Sequence, residues 1–305
     1  MTLLPALLWR KAPVLACLFL WSGSPAFAEN PEVLRDLVYA QPGGTPLTLD
    51  AYLVPDKKVH PAVINIHGGG FVTGDKSHIS TGFREIRDLI LANGISVISV
   101  NYRLAPQHPY PAATDDIQEA ISFIKKNSSK LRIDPNHLAL MGESAGGMLV
   151  SHAGAKYRPE NKVATVISFY GEHDFLLRVT ENPCAMDGYT VPQPEGGCIS
   201  GGMAAFLGFD KVTPENKPLL TDATVVSHVH PDMPSYLLIH GTRDYGVPIE
   251  QAHSMQDAMR RAGAECELMS VVGGGHGIGG WTAPNQVRYK QILEDWLKQK
   301  LLHSQ

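Results

Sequence analysis

Short apolar runs alternate with amphipathic stretches from Val63 to the C-terminus, a pattern that predicts a mostly parallel sheet covered by helices. The runs Val63 to Ile66, Ser96 to Asn101, Leu138 to Met141, Ala164 to Tyr170, Tyr236 to His240 and Glu267 to Val272 read as strands. Helical periodicity falls between them, over Ile79 to Ala92, Thr114 to Lys126, Ala145 to Tyr157, Ile249 to Ala262 and Asn285 to Leu302. Ahead of this series, Val33 to Ala40 and Leu47 to Val54 flank Gln41-Pro42-Gly43-Gly44, which predicts a leading antiparallel hairpin. No repeat and no charged or Ser/Gly-rich linker divides the chain, so one domain over 29–305 is expected. The exception is 171–225, before the penultimate strand, which is rich in Pro and Gly and has no sustained period. It reads as an irregular insertion and a candidate cover over a site.

The N-terminus has a different pattern. Arg10 and Lys11 precede an apolar run from Ala12 to Trp21, followed by Ala26-Phe27-Ala28, the layout of a cleavable signal peptide over 1–28. The run is too short for a stable membrane-spanning helix, and no later segment approaches the ~20 apolar residues needed. The expected mature protein is therefore exported, to the periplasm or the medium, without stable membrane insertion. Export permits disulfides, and Cys184 with Cys198 is the expected bridge, closing a Pro/Gly-rich loop; such links are worth ~2 to 4 kcal/mol. Cys266 lies in an alternating, strand-like context and reads as a small buried hydrophobe.

Charge narrows the range of partners. The chain has 305 residues, 44% hydrophobic and 18% charged, with 26 Lys and Arg against 30 Asp and Glu, a formal net charge of −4. Loss of Arg10 and Lys11 with the leader makes this −6. Neither value favours nucleic acid or an anionic membrane surface, and neutral small-molecule substrates are expected.

The candidate chemistry begins at Gly142-Glu143-Ser144-Ala145-Gly146, between a predicted strand and a predicted helix. A serine on such a sharp turn projects its hydroxyl above the sheet edge, and the turn needs glycines because side chains there would strike backbone. His67-Gly68-Gly69-Gly70-Phe71 follows an earlier strand and leaves N–H groups open, as required to stabilise the negative oxygen of an acyl-transfer intermediate. A phosphate cradle would place a Lys-Ser or Lys-Thr pair differently from Lys76-Ser77. Because a serine hydroxyl is a weak nucleophile, it needs a base, and the base needs an acceptor. His276, in a glycine-rich loop past the last strand, is the favoured base; His67 and His240 follow strands and read as loop-holding residues. Asp244, just past the strand ending near His240, is the favoured acid, with Asp174 in reserve and Glu172 also within reach of the histidine.

With these motifs placed, the sequence resembles the α/β-hydrolase superfamily, and within it bacterial esterases related to hormone-sensitive lipase and the acetylxylan or feruloyl esterase-like group. The resemblance runs from about Val63 to the C-terminus through His67–Gly70, Asn101–Pro106, Pro111–Asp116, Gly142–Gly147, His240–Asp244 and Gly275–Gly277. It implies an α/β-hydrolase fold, Ser144 as nucleophile, His276 as base, Asp244 as acid, and an oxyanion hole from the N–H groups of Gly69, Gly70 and Ala145. It also implies that Tyr102, Arg103 and Asp116 are scaffold. The expected activity is hydrolysis of short-chain acyl esters, acylated carbohydrates among them, with neither metal nor organic cofactor. A prolyl-peptidase-type serine peptidase and a non-catalytic binding protein are the competing readings; oligomeric state is left open. Only Glu29 to Ile66 precedes His67, so the N-terminal helical cap of many hormone-sensitive-lipase relatives is not expected.

Overall fold

The computed structural model describes residues 30–180 and 201–303. The predicted leader and the Cys184–Cys198 pair lie outside these residues. Eight strands form one sheet in the order β1-β2-β4-β3-β5-β6-β7-β8. β1 (Glu32–Ala40) and β2 (Leu47–Leu53) form the antiparallel hairpin, and β2 also pairs antiparallel with β4 (Ser96–Val100). The remaining strands are parallel: β3 (His60–Ile66), β4, β5 (Ile133–Glu143), β6 (Thr165–Phe169), β7 (Ser235–Gly241) and β8 (Cys266–Val271).

The parallel strands read as unbroken apolar runs because both faces of the sheet are covered. Successive side chains point to opposite faces, so each run feeds two cores. Ile64, Ile98, Leu140, Val166 and Leu238 enter one; Val63, Val97, Ala139, Ile167 and Leu237 enter the other. α2 (Ala112–Lys126) closes the first with Ile117, Ala120, Ile121 and Ile124, one stripe at helical spacing. α4 (Ala145–Ala155) and α8 (Glu250–Ala262) pack on the same side, and every residue of α4 is buried. α1 (Arg84–Ala92) and α9 (Ala283–Leu297) close the second core with Ile86, Ile90, Leu293 and Trp296. A parallel sheet with helices on both faces, and a serine turn joining its central strand to a buried helix, is the α/β-hydrolase architecture expected from the motifs.

Several boundaries differ from the hydrophobic pattern. The helix expected from Ile79 starts at Arg84, because Asp75 accepts from the Ser77 N–H and caps a separate tight turn over Lys76–Ser80. β5 begins at Ile133, which pairs with His60 before a polar, irregular stretch conceals the run from the sequence pattern. The last helix ends at Leu297 and continues as a π-type turn to Leu302. Within 171–225 the described residues form three short helices, α5 (Phe175–Thr180), α6 (Gly201–Leu207) and α7 (Lys217–Ala223). Six or seven residues are too few to express a helical period in sequence. The Cys266 side chain is half-buried on β8 against the first core, and burial pushes its thiol up to about 12. It is therefore protonated and inert at neutral pH.

Candidate active site

The C-terminal ends of β3, β5, β6, β7 and β8 meet at one rim, where open parallel sheets hold ligands. Ser144 leaves β5 at φ 53°, ψ −121°, a positive-φ conformation that turns the chain sharply into α4. The turn closes only because position 146 lacks a side chain: a Cβ there would meet the carbonyl oxygen of Ile66 at 2.1 Å.

His276 arrives from the loop after β8. Its Nδ1–H donates to Asp244 Oδ2 at 2.7 Å, which leaves Nε2 to accept from the Ser144 hydroxyl at 2.9 Å. The tautomer follows from the partners, since an ionised carboxylate can only accept. The Asp244 side chain is 0% exposed and that of His276 35%, so the carboxylate is sealed while the imidazole reaches the cavity and solvent. Asp244 Oδ1 accepts the backbone N–H groups of Gly246 at 2.9 Å and Val247 at 2.8 Å, fixing the carboxylate plane. The ring of Tyr170 meets His276 edge-to-face at 4.8 Å, and Trp281 Nε1–H holds the Gly275 carbonyl at 3.0 Å.

The glycine-rich loop lies beside the serine. Among the described residues, no protein acceptor takes the N–H of Gly69, Gly70 or Ala145. Gly70 and Ala145 line the same cavity as Ser144 and His276, about 350 Å³ in volume. Gly69 lies one residue back, with its carbonyl accepting from Val72 and Thr73. Its φ of +110° and a Cβ position only 2.2 Å from the Thr73 carbonyl oxygen admit glycine alone.

Of the residues read as scaffold, Tyr102 touches this loop, while Arg103 and Asp116 pair with each other beside it. Tyr102 donates its hydroxyl to the His67 carbonyl at 3.0 Å and stacks on the His67 ring at 4.4 Å. Arg103 binds Asp116 through Nε and Nη2 at 2.9 and 2.7 Å. His67 is buried, its ring lowered in pKa by desolvation, and its Nδ1 lies 2.8 Å from the Gly68 carbonyl. His240, also lowered by burial, donates to the Val247 carbonyl at 2.8 Å. Asp174, the reserve acid, accepts from the Leu177 N–H and the Ser254 hydroxyl and joins α5 to α8. Glu172 faces Arg178 Nε at 3.1 Å. Asp244 is the acid bonded to His276.

Sequence reasoning missed two arrangements. Glu143, inside the serine motif, accepts the Gly68 N–H at 2.7 Å and has His78 Nδ1 at 2.9 Å. That contact with Glu143 raises the His78 pKa. The Glu172–Arg178 pair lines the cavity itself. The acidic residue of the motif hinted at the first, but nothing local in sequence links Glu172 to a charge on the next helix.

The fold and its serine turn are those of an α/β-hydrolase. A family model described as BD-FAE matches residues 49–259, and the chain belongs to that family. It is 29% identical over 239 residues to Esterase LipC of Mycobacterium tuberculosis, covering 72% of this chain and 54% of LipC. The chain spans about half the length of the curated relatives it matches. A solved structure described as a truncated form of carbohydrate esterase from gut microbiota superposes with TM-score 0.72 at 24% identity, over 90% of this chain and 98% of that one. The acetyl ester-xyloside bifunctional hydrolase of Caldicellulosiruptor lactoaceticus gives 0.67 at 24% identity, over 83% and 88%. At these identities the structural likeness establishes the fold. Among the described residues no cluster of three His, Cys, Asp or Glu could hold a metal ion, and no helix is long and apolar enough to cross a membrane.

Proposed function

We propose that the protein is a serine carboxylesterase that hydrolyses short-chain acyl esters, including acyl groups carried by carbohydrates. The observation that carries this reading is the continuous line from Asp244 through His276 to Ser144, at 2.7 and 2.9 Å, ending in an open cavity. The family and the esterase relatives support the same class.

In this mechanism His276 Nε2 takes the Ser144 proton as Oγ attacks the ester carbonyl. The buried Asp244 carboxylate stabilises the imidazolium that results. The N–H groups of Gly69, Gly70 and Ala145 are assigned to the developing oxyanion, where loss of one donor typically costs ~2.7 to 4 kcal/mol of barrier. The C–O bond to the alcohol breaks, the alcohol leaves with the proton from His276, and Ser144 keeps the acyl group. His276 then deprotonates a water that attacks the acyl carbon; Ser144 leaves and recovers a proton, and the free acid departs.

A panel of p-nitrophenyl acetate, butyrate and octanoate tests the reading. Turnover is expected on the short esters and absent in Ser144→Ala; a wild-type protein inert on all three overturns it. We further propose that the chain is exported after loss of 1–28 and that Cys184 and Cys198 are bridged, on the leader pattern and the paired cysteines of the sequence.

A further inference from the structure

Glu143 brings a carboxylate against the glycine-rich loop, and its charge bears on the chemistry there. Oε1 accepts the Gly68 N–H at 2.7 Å. A Cβ on Gly68 would meet Oε1 at 3.3 Å and Ser144 Cβ at 3.2 Å, so the carboxylate and the nucleophile's side chain flank one carbon-sized space. The Glu143 side chain is 8% exposed, and water screens its charge poorly. Ester hydrolysis builds negative charge on the oxygen assigned to this loop, and a like charge behind the N–H donors opposes it.

His78 meets the carboxylate from outside. Its Nδ1 lies 2.9 Å from Glu143 Oε1 and its side chain is 37% exposed, so the ring exchanges protons with solvent while touching a buried charge. Packing fixes the ring. The His78 carbonyl accepts from the N–H groups of Thr81 and Phe83, the ring faces that of Phe83 at 5.4 Å, and a Cβ on Gly82 would fall 2.2 Å from Nε2. Three titratable groups face His78. Glu143 and Asp75 favour the imidazolium, while His67, kept neutral by burial, adds no charge at neutral pH. Contact with Glu143 outweighs burial and raises the His78 pKa above its ordinary 6.5. Asp75 is exposed and caps its own turn at the Ser77 N–H, so solvent screens it.

We infer that His78 is a positioning residue for the oxyanion hole: its imidazolium offsets the Glu143 charge beside Gly68 and lets negative charge develop on the substrate oxygen. The inference rests on the serine-esterase reading of Ser144 and adds a pH response to that site. The ester is neutral and its transition state anionic, so the effect falls on kcat and leaves KM in place. As pH rises through the His78 pKa, Glu143 loses its counter-charge and kcat declines. The acid side of the profile belongs to His276, which stops acting as base once it takes a proton.

The test is the pH profile of kcat on p-nitrophenyl acetate, corrected for spontaneous hydrolysis. The wild type is expected to lose about tenfold in kcat on the alkaline side of pH 6.5, at the midpoint read for the His78 ring by NMR. His78→Gln holds the low rate across that range with KM unchanged, whereas His78→Lys, a cation throughout, recovers most of the rate and shows no decline. On a Glu143→Gln chain, His78→Gln lowers kcat less than about twofold, because no charge is left to offset. Equal losses in His78→Gln and His78→Lys mark a packing role and overturn the inference, as does an undiminished loss on Glu143→Gln. Should the variants not fold, a wild-type decline that is absent or displaced from the His78 midpoint overturns it. A wild type inert on p-nitrophenyl acetate, butyrate and octanoate overturns the esterase reading with it.

Discussion

Glu143 holds the backbone N–H of Gly68 at 2.7 Å, joining the residue before Ser144 to the start of the glycine-rich loop. The bond sets the position of the N–H groups of Gly69 and Gly70 relative to the serine. Replacing Glu143 with Ala leaves a buried N–H unpaired, which costs ~1 to 3 kcal/mol, and frees the loop. We expect kcat on p-nitrophenyl acetate to fall about 10- to 100-fold in Glu143→Ala with little change in KM. Glu143→Gln, which still accepts from Gly68, retains most of the rate. Equal kcat in the two variants would show that the bond has no bearing on the chemistry.

Asp244 has two tasks that a single substitution separates. Oδ2 receives His276, and Oδ1 receives the loop N–H groups of Gly246 and Val247. Asp244→Asn keeps a carbonyl oxygen for the loop but loses the charge that stabilises the imidazolium. The expected result is a folded protein with kcat down by about 10⁴, read by single-substrate kinetics beside a melting curve. A variant with near wild-type kcat would remove Asp244 from the mechanism.

Stability should fall on the acid side because two histidines are buried in their neutral form. Burial lowers His152 from its ordinary 6.5 to about 4 and His173 to about 3. Between those values and about 6.5 the unfolded chain binds protons that the folded chain refuses, so stability is full above 6.5 and drains as pH falls. His152 sits 3.1 Å from the Asp222 carbonyl and 3.3 Å from the Tyr110 hydroxyl, two turns along α4 from Ser144 and outside its cavity. A tenfold difference in proton affinity between the folded and unfolded chain corresponds to ~1.4 kcal/mol. Urea midpoints measured from about pH 7 down to about pH 4 should decline less steeply in His152→Gln than in the wild type; parallel profiles would contradict this assignment.

The hydrophobic period revealed the strands of the sheet and the face each long helix buries, since a two-sided parallel sheet writes itself as apolar runs such as Val63 to Ile66. Local motifs pointed to the turn at Ser144 and to the loop at Gly69 because close backbone approaches at Gly146 and Gly69 admit only glycine, which leaves a short signature in the sequence. His276 and Asp244 could be selected by their places after strands, but their distances could not, because 132 residues separate His276 from Ser144. The Glu143–Gly68 bond and the Glu172–Arg178 pair stayed hidden for the same reason: each depends on how neighbouring strands or a loop and a short helix dock. The helices of 171–225 were missed because α5, α6 and α7 are each shorter than two full helical turns.

The export proposal predicts a cysteine count. Loss of the leader removes Cys17, and a Cys184–Cys198 bridge leaves Cys266 as the reactive thiol of the denatured mature chain. Alkylation in denaturant without reductant, followed by mass spectrometry of secreted protein, should show Glu29 at the N-terminus and one label per chain. Three labels, or an intact N-terminus in the exported fraction, would overturn the bridge or the cleavage.

The central claim is that the Ser144 hydroxyl, activated by His276, attacks an electrophilic carbonyl or phosphoryl centre. Peptide mass spectrometry after brief treatment with a fluorophosphonate tests this most directly. The account predicts stoichiometric modification at Ser144, with simultaneous loss of esterase activity and no labelling of Ser144→Ala. Modification at another residue, or full activity in an unlabelled protein, would contradict it.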